Sequence, residues 1–347
     1  MVGTGATGAE TAVSQRRIIA LMDGYLTTQL LYVAAKLGIA DVLADGPWTA
    51  AEVAAAVDAD ADVLARVLRG LAVDGVVSEL ADGTFALAAP GNLLREGVPG
   101  SLRGSVIVRG DLYFRAAAGL LQTVRDGRTA FEHAHGERFF DYLGRSPELE
   151  REFNDSMASR AAQEAADVVA AYDFAPFRRV VDVGGGQGVL LGAVLRAVPA
   201  LHGVLVDRPA AVDRAKQRLA AAGVADRAEC AAGDFFDSVP AGADGYLLSR
   251  VIHDWKDEDA VRILGTCRDA MTAASKLLLV EAILPERATD GPAVIRMDLH
   301  MLILAGARER TEADYRRLIE KAGLRVQRVL PTRSAVGVSV IEATRAD

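Results

Sequence analysis

From residue 179 onward the chain alternates short apolar runs with helical stretches, and this alternation constrains the fold more than any other feature. RVVDV precedes VLLGAVLRAV, GVLVD precedes AAVDRAKQRLAAAG, and GYLLSRVIH precedes DEDAVRILGTCRDAM, while AECAAGDFF and KLLLVEAIL add two further runs. Strand–helix alternation of this kind predicts a parallel sheet covered by helices on both faces. Only PTRSAV separates the last two runs, LRVQRVL and GVSVIEA. They are therefore expected to form an antiparallel hairpin at one sheet edge.

The first half of the chain reads differently. The first dozen residues are small and polar and are expected to be disordered. From Ser14, apolar residues recur at helical spacing (Ile18, Leu21, Met22, Tyr25, Leu26) until Gly38, a helix stop. Thr49 can cap a short helix to Val57, and Asp60 or Asp62 can cap another that sets Leu64, Val67, Leu68 and Leu71 on one face. VVSEL and TFALA then predict a hairpin turning at Asp82-Gly83. Helix, helix, hairpin is the order of a winged helix. Arg66 and Arg69 on the would-be recognition helix are surrounded by Asp58, Asp60, Asp62 and Asp74, so a structural, dimer-forming role is expected rather than DNA contact. Residues 101–172 read as mostly helical, punctuated by Gly127, Gly136 and Pro147. The domain expectation is thus 1–13 disordered, 14–100 winged helix, 101–172 helical connector and pocket lid, and 173–347 sheet domain.

With 347 residues, 51% of them hydrophobic and 25% charged, the chain can bury a large core, and its length suggests two domains. The sequence expectation is that no apolar run approaches the roughly 20 residues of a membrane span and that MVGTGATGAE lacks a signal-peptide core. Two cysteines, Cys230 and Cys267, exclude a disulfide framework or Cys-rich metal centre. A net charge of −8 argues against nucleic-acid or anionic-membrane partners. A cytoplasmic protein acting on small molecules is expected.

The chemistry concentrates in VVDVGGGQGVLL. A strand ending at Asp182-Val183 runs into Gly184, Gly185, Gly186 and Gly188 before a helix, a turn that lets a ligand approach backbone at a helix N-terminus. The glycines at 184, 186 and 188, with Val at 189, are not spaced as the G-x-G-x-x-G of dinucleotide binders. Polar residues recur at the carboxyl ends of the following strands: Asp207, 19 residues after Gly188 and placed for a ribose hydroxyl pair; Asp234 before Phe235 and Phe236; His253-Asp254-Trp255; and Glu281. Open α/β sheets bind ligands outside these strand ends. Asp257, Glu258 and Asp259 read as a helix start, Trp255 as packing behind the site, and His133 and His135 receive no role.

DVGGGQG, Asp207, GDFF, SRVIHDW, LLLVEAILP and DLHMLILAGARERT together resemble the S-adenosylmethionine-dependent small-molecule O-methyltransferases, both the plant caffeate and flavonoid enzymes and the bacterial tailoring enzymes. The resemblance spans about residues 15–345. It implies an α/β fold with a Rossmann-like class I methyltransferase sheet, an antiparallel C-terminal edge hairpin and a winged-helix N-terminal domain that makes a homodimer. It also implies S-adenosylmethionine as cofactor, with Asp182, Gly184 and Gly186 near its methionine part, Asp207 on the ribose, and Asp234 and Phe235 on the adenine. Ser249, where the plant enzymes carry a lysine, and Arg250 fall on the cofactor side. His253 occupies the general-base position with Asp254 beside it, Glu281 and Glu309 match the two acids that flank it, and Met157 and His300 face the substrate.

Physical chemistry agrees. Methyl transfer from a sulfonium is an in-line displacement governed by alignment, and a phenol of pKa near 10 is mostly protonated at neutral pH. A neutral histidine can take that proton, and a carboxylate on its other nitrogen, either Glu281 or Glu309, fixes the tautomer. An alternative is open: His253, Asp254 and His300 could hold a metal, as in the α-keto acid C-methyltransferases this family also resembles.

Overall fold

A computed structural model describes residues 8–334 and 336–346. The chain divides into two compact units, one made of residues up to Arg115 plus Tyr142–Ser159, the other of Ala116–Asp141 plus Arg160 onward. The helical segment expected between the domains is therefore shared between them.

In the first unit, Gly8–Met22 is already helical, which corrects the disorder expected as far as residue 13; residues 1–7 lie outside the described residues. Helix Gly24–Leu37 ends at Gly38, whose φ of 70° lets the chain turn back. Thr49 caps Ala50–Ala56 in a reciprocal capping box with Glu52, and the Asp60 side chain accepts from the Val63 amide at 2.9 Å to start Ala61–Val73. Strands β1 (Val77–Glu79) and β2 (Phe85–Leu87) pair antiparallel around Gly83. Ile39, Leu43, Val53, Leu64, Leu68 and Phe85 share one core beneath them. This is the expected helix, helix, hairpin order. The stretch Glu10–Leu37 is long and apolar enough, by length and composition only, to cross a membrane. This corrects the expectation of no such run, because the stripe read as one face of an amphipathic helix continues across two consecutive helices. Ile18, Leu21, Met22 and Tyr25 on it are exposed.

The second unit carries β3 (Arg179–Val183), β4 (His202–Asp207), β5 (Ala228–Ala232), β6 (Gly245–Ser249), β7 (Lys276–Leu284), β8 (Arg310–Thr311), β9 (Leu324–Pro331) and β10 (Val338–Arg345). Among the described residues they form one eight-stranded sheet in the order β5-β4-β3-β6-β7-β10-β9, with β8 beside the end of β7. β3 to β7 are parallel, and β10 runs antiparallel to both β7 and β9. This is the expected sheet with its antiparallel edge hairpin, a Rossmann-like class I methyltransferase sheet. Apolar cores lie on both faces, which is why the central strands read as continuous apolar runs. The strand order reverses between β3 and β6, and the site forms at that switch point.

Candidate active site

The glycine turn after β3 is shaped by close packing. Gly184, Gly186 and Gly188 all have positive φ, and a Cβ on Gly184 would approach Val251 to 3.0 Å and Phe235 to 3.3 Å. Asp207, at the end of β4, accepts the Gly186 amide at 2.8 Å and the Arg208 amide at 2.7 Å, tying the glycine loop to the neighbouring strand. Asp234 accepts the Phe236 amide at 2.8 Å. These groups open onto a cavity of about 370 Å³, lined among the described residues by Gly184, Asp207, Asp234, Phe235, Arg250, Asp254 and others. That volume suits a small-molecule or cofactor site. An acid with free oxygen capacity for a ribose, a second acid beside an aromatic ring for a purine, and a glycine with no room for a side chain fit a nucleoside cofactor.

Several expected cofactor residues sit elsewhere. Asp182 is buried beneath the glycine loop rather than on the cavity wall; its carboxylate fills the space where a Cβ of Gly185 would lie, 2.5 Å from Oδ2. Side chains alternate along a strand, so the penultimate residue of β3 faces into the sheet packing. Ser249 ends β6, half-buried and off that wall. Trp255, expected behind the site, lines the cavity with Phe235 and Phe236, its ring 4.8 Å from that of Phe236. Arg208 and Phe236 line it too.

β6 stops at Ser249 rather than continuing to His253. Arg250 has φ 56°, and the chain then makes a single turn over Ile252–Asp254. One oxygen of the buried Glu281, on β7, collects the amides of Val251 at 3.1 Å, Ile252 at 2.8 Å and His253 at 3.4 Å. Glu281 lies within its strand and holds the loop's backbone, not the imidazole ring. The ring is met by Glu309, whose Oε1 lies 3.3 Å from His253 Nδ1. Glu309 is itself gripped by Arg250, with Nη2 at 2.7 Å from Oε1 and Nη1 at 3.4 Å from Oε2. His253 Nε2 lies 3.4 Å from Asp254 Oδ1; of these two residues it is Asp254 that lines the cavity.

Burial and the Arg250 guanidinium oppose a charge on His253, but Glu281, Glu309 and Asp254 outweigh them and hold its pKa above the ordinary 6.5. Burial likewise opposes the charge on Glu309, yet the bond from His253 and the guanidinium bring it down to about 2. Burial raises Glu281. His253, Glu281 and Glu309 offer ligand atoms within 4.8 Å of one another, and the one positive charge of the Arg250 guanidinium is shared between the two carboxylates, 2.7 Å from Glu309 and 3.6 Å from Glu281. Sequence reasoning did not find Arg310, fully buried, which donates to the carbonyls of Ile252 at 2.8 Å and Trp255 at 2.6 Å and so clamps the same turn. Asp298 accepts the Glu309 amide at 2.8 Å. His300, half-buried on the same helix Pro292–Leu304, is turned about 200° from Asp298 around its axis. Met157 belongs to the first unit, half-buried on helix Pro147–Ala171.

The sheet order and the strand-end site define a class I methyltransferase. Residues 118–325 match the O-methyltransferase domain family and residues 19–95 the O-methyltransferase dimerisation domain. The chain is 46% identical to phenazine O-methyltransferase PhzM of Lysobacter antibioticus over 94% of its own length and 95% of that protein. It is 32% identical to the phenazine-1-carboxylate N-methyltransferase of Pseudomonas aeruginosa, over 91% and 93%. The crystal structure of CalO1, a methyltransferase of calicheamicin biosynthesis in its SAH-bound form, superposes with a TM-score of 0.87 at 37% identity, over 99% of this chain and all of that one. The chain therefore belongs to the O-methyltransferase family. It is an S-adenosylmethionine-dependent methyltransferase of the secondary-metabolite type, acting on small molecules, and it carries a dimerisation domain.

Proposed function

We propose that the chain methylates a hydroxyl on an aromatic small molecule, with His253 as general base. S-adenosylmethionine, when bound, supplies a methyl group activated on a sulfonium. Asp207 would hold the ribose, Asp234 and Phe235 the adenine, and Gly184 the methionine end. The chain's own residues then manage a proton. As the acceptor oxygen attacks, its proton passes to Nε2 of His253, the nitrogen next to Asp254; Glu309 at Nδ1 stabilises the imidazolium, and Glu281 keeps the turn in place. The single observation that carries this reading is the continuous chain of contacts from Arg250 through Glu309 to His253, ending beside Asp254 on the cavity wall.

The reading gives a pH dependence. The base must be uncharged, and its pKa is held above 6.5, so kcat/KM for a phenolic acceptor should rise with pH through a midpoint above that value. His253→Ala should lower kcat by roughly 10²- to 10⁴-fold and abolish that limb, with cofactor affinity little changed by calorimetry. A His253→Ala enzyme of near-normal rate, or equal turnover of aromatic amines and phenols, would remove the base role. The same proposal has the protein act in the cytoplasm as a homodimer; the exposed apolar side chains of Leu21, Met22 and Tyr25 in the dimerisation domain support the dimer.

A further inference from the structure

We infer that Arg250 is a positioning residue for the proton transfer: its guanidinium locks Glu309 against Nδ1 of His253 and balances the second buried carboxylate, so that the ring's outer nitrogen keeps a lone pair for the acceptor hydroxyl. The inference rests on the reading of His253 as the base.

The geometry is that of a cation shared by two anions. Arg250 Nη2 contacts Glu309 Oε1 at 2.7 Å, the same oxygen that lies 3.3 Å from His253 Nδ1. Its Nη1 reaches Glu281 Oε2 at 3.6 Å, while the other oxygen of Glu281 is occupied by the loop amides. Both carboxylates are fully buried. Without the guanidinium, the imidazole would face two uncompensated buried charges, and these favour a second proton on the ring. A base that is already protonated cannot accept the acceptor's proton.

The backbone supports a dedicated role. Arg250 adopts φ 56°, a conformation side-chain-bearing residues rarely take and keep only where the surroundings over-determine it. Here its amide donates to the Val280 carbonyl at 3.0 Å, and the next three amides converge on Glu281. The strained link aims the guanidinium from the end of β6 at both acids.

The other charged groups around the ring are engaged elsewhere. Arg308, whose amide meets the His253 carbonyl, spends its guanidinium on Asp257 at 2.6 Å, and Arg310 is bound to main-chain carbonyls and Asp257. Asp298 is taken up by the Glu309 amide. From helix Pro147–Ala171, Arg160 and Glu164 lie 3.6 Å from each other, the one acting on Asp254 and the other on Arg250. Tyr315, on helix Glu312–Lys321 behind the acids, is kept neutral by burial. Asp254, at Nε2, has an exposed side chain and favours a charge on the ring, while its surroundings raise its own pKa; it stays in place in every variant compared below.

The test is the titration of the His253 imidazole by NMR in the full-length protein with S-adenosylhomocysteine added, the signal assigned among the five histidines by its loss in His253→Asn. In Arg250→Met the midpoint should move up by at least about one on the pH scale, a roughly tenfold larger protonated fraction. Arg250→Lys should restore most of the difference, and Glu309→Gln, which removes an anion instead, should move the midpoint below that of the wild type. Turnover of Arg250→Met at pH 7 should fall roughly tenfold in kcat, with little change in cofactor KM, and recover as the pH is raised. An unchanged midpoint in Arg250→Met overturns the proposal. So does a large loss of S-adenosylhomocysteine affinity with the midpoint fixed, which would make Arg250 a cofactor ligand. If Arg250→Met does not fold, Glu309→Gln and Arg250→Lys decide by the same midpoints. A midpoint that moves while kcat at pH 7 does not leaves Arg250 acting on the ring and overturns His253 as the base.

Discussion

Replacing Asp182 by Asn should make the protein more stable, increasingly so as the pH rises from about 4 to 8. Asp182 is 1% exposed beneath the glycine loop. Neither of its oxygens has a side-chain partner, and the Leu191 amide gives only partial relief. Burial, reinforced by the negative charge of Asp207, pushes its pKa up to about 7 from the ordinary 3.8. Between those values the unfolded chain has lost this proton while the folded chain retains it. Stability therefore falls as pH rises through the window and is flat above about 7. The loss corresponds to roughly 4 kcal/mol at pH 8. Asparagine has the same shape and cannot ionise, so the variant escapes it. At roughly 2–4 °C per kcal/mol for a unit of this size, Tm should exceed that of the wild type by about 10 °C at pH 8 and by little at pH 4.5. Thermal unfolding followed by circular dichroism across that range reads the difference directly. Two melting curves that keep a constant offset from pH 4.5 to 8 would show that Asp182 is already ionised in the folded protein, and the argument from burial would be wrong.

Asp207→Ala removes the acceptor of two loop amides and the group assigned to the ribose; S-adenosylhomocysteine should bind roughly 10- to 100-fold more weakly by calorimetry, and an unchanged Kd would withdraw the assignment. Arg310→Met leaves the carbonyls of Ile252 and Trp255 and the Asp257 carboxylate without their buried donor; a loss of about 3 to 5 kcal/mol is expected in denaturant unfolding, and a loss under 1 kcal/mol would show that the turn stands without its clamp. In the first unit, Gly110→Ala, in the helical turn Arg109–Tyr113, would put a methyl 2.3 Å from the Cβ of Tyr32 on helix Gly24–Leu37; Tm should drop by an amount corresponding to about 1 to 3 kcal/mol, and a neutral effect would mean that these two segments can separate freely.

What the sequence discloses follows from the range of the interactions involved. The sheet strands, the capping residues Thr49 and Asp60, and the turn at Gly83 are set by period and local hydrogen bonding, both of which can be read from neighbours in the chain. Asp207 and Asp234 are legible for the same reason, since a strand end and a following helix announce the edge where ligands meet an open sheet. Asp182 misleads because its position in a motif suggests a ligand contact, whereas strand alternation turns it inward. The division of labour between Glu281 and Glu309 is not legible at all. Both match acids that flank a histidine, yet one serves backbone amides and the other the ring, a distinction made by contacts across 28 and 56 residues of chain.

The same contrast explains why the two halves of the site should respond differently to mutation. The side proposed for the cofactor is built from turns at strand ends, where Asp207 and Asp234 accept loop amides that are exposed or only part-buried, so a lost side chain there leaves no fully buried group unpaired. The side proposed to handle the proton hangs on a single turn whose amides, carbonyls and ring are each held by a residue far away in sequence: Glu281, Arg310 and Glu309. Removing any one of the three unpairs a buried group rather than an exposed one, and the cost of an unpaired buried group exceeds the worth of the bond it made. Substitutions at Asp207 or Asp234 should therefore appear in binding constants at nearly constant Tm. Those at Glu281 or Arg310 should lower Tm and kcat together, and a Glu281→Ala enzyme that lost activity at unchanged Tm would contradict this account of how the histidine is held.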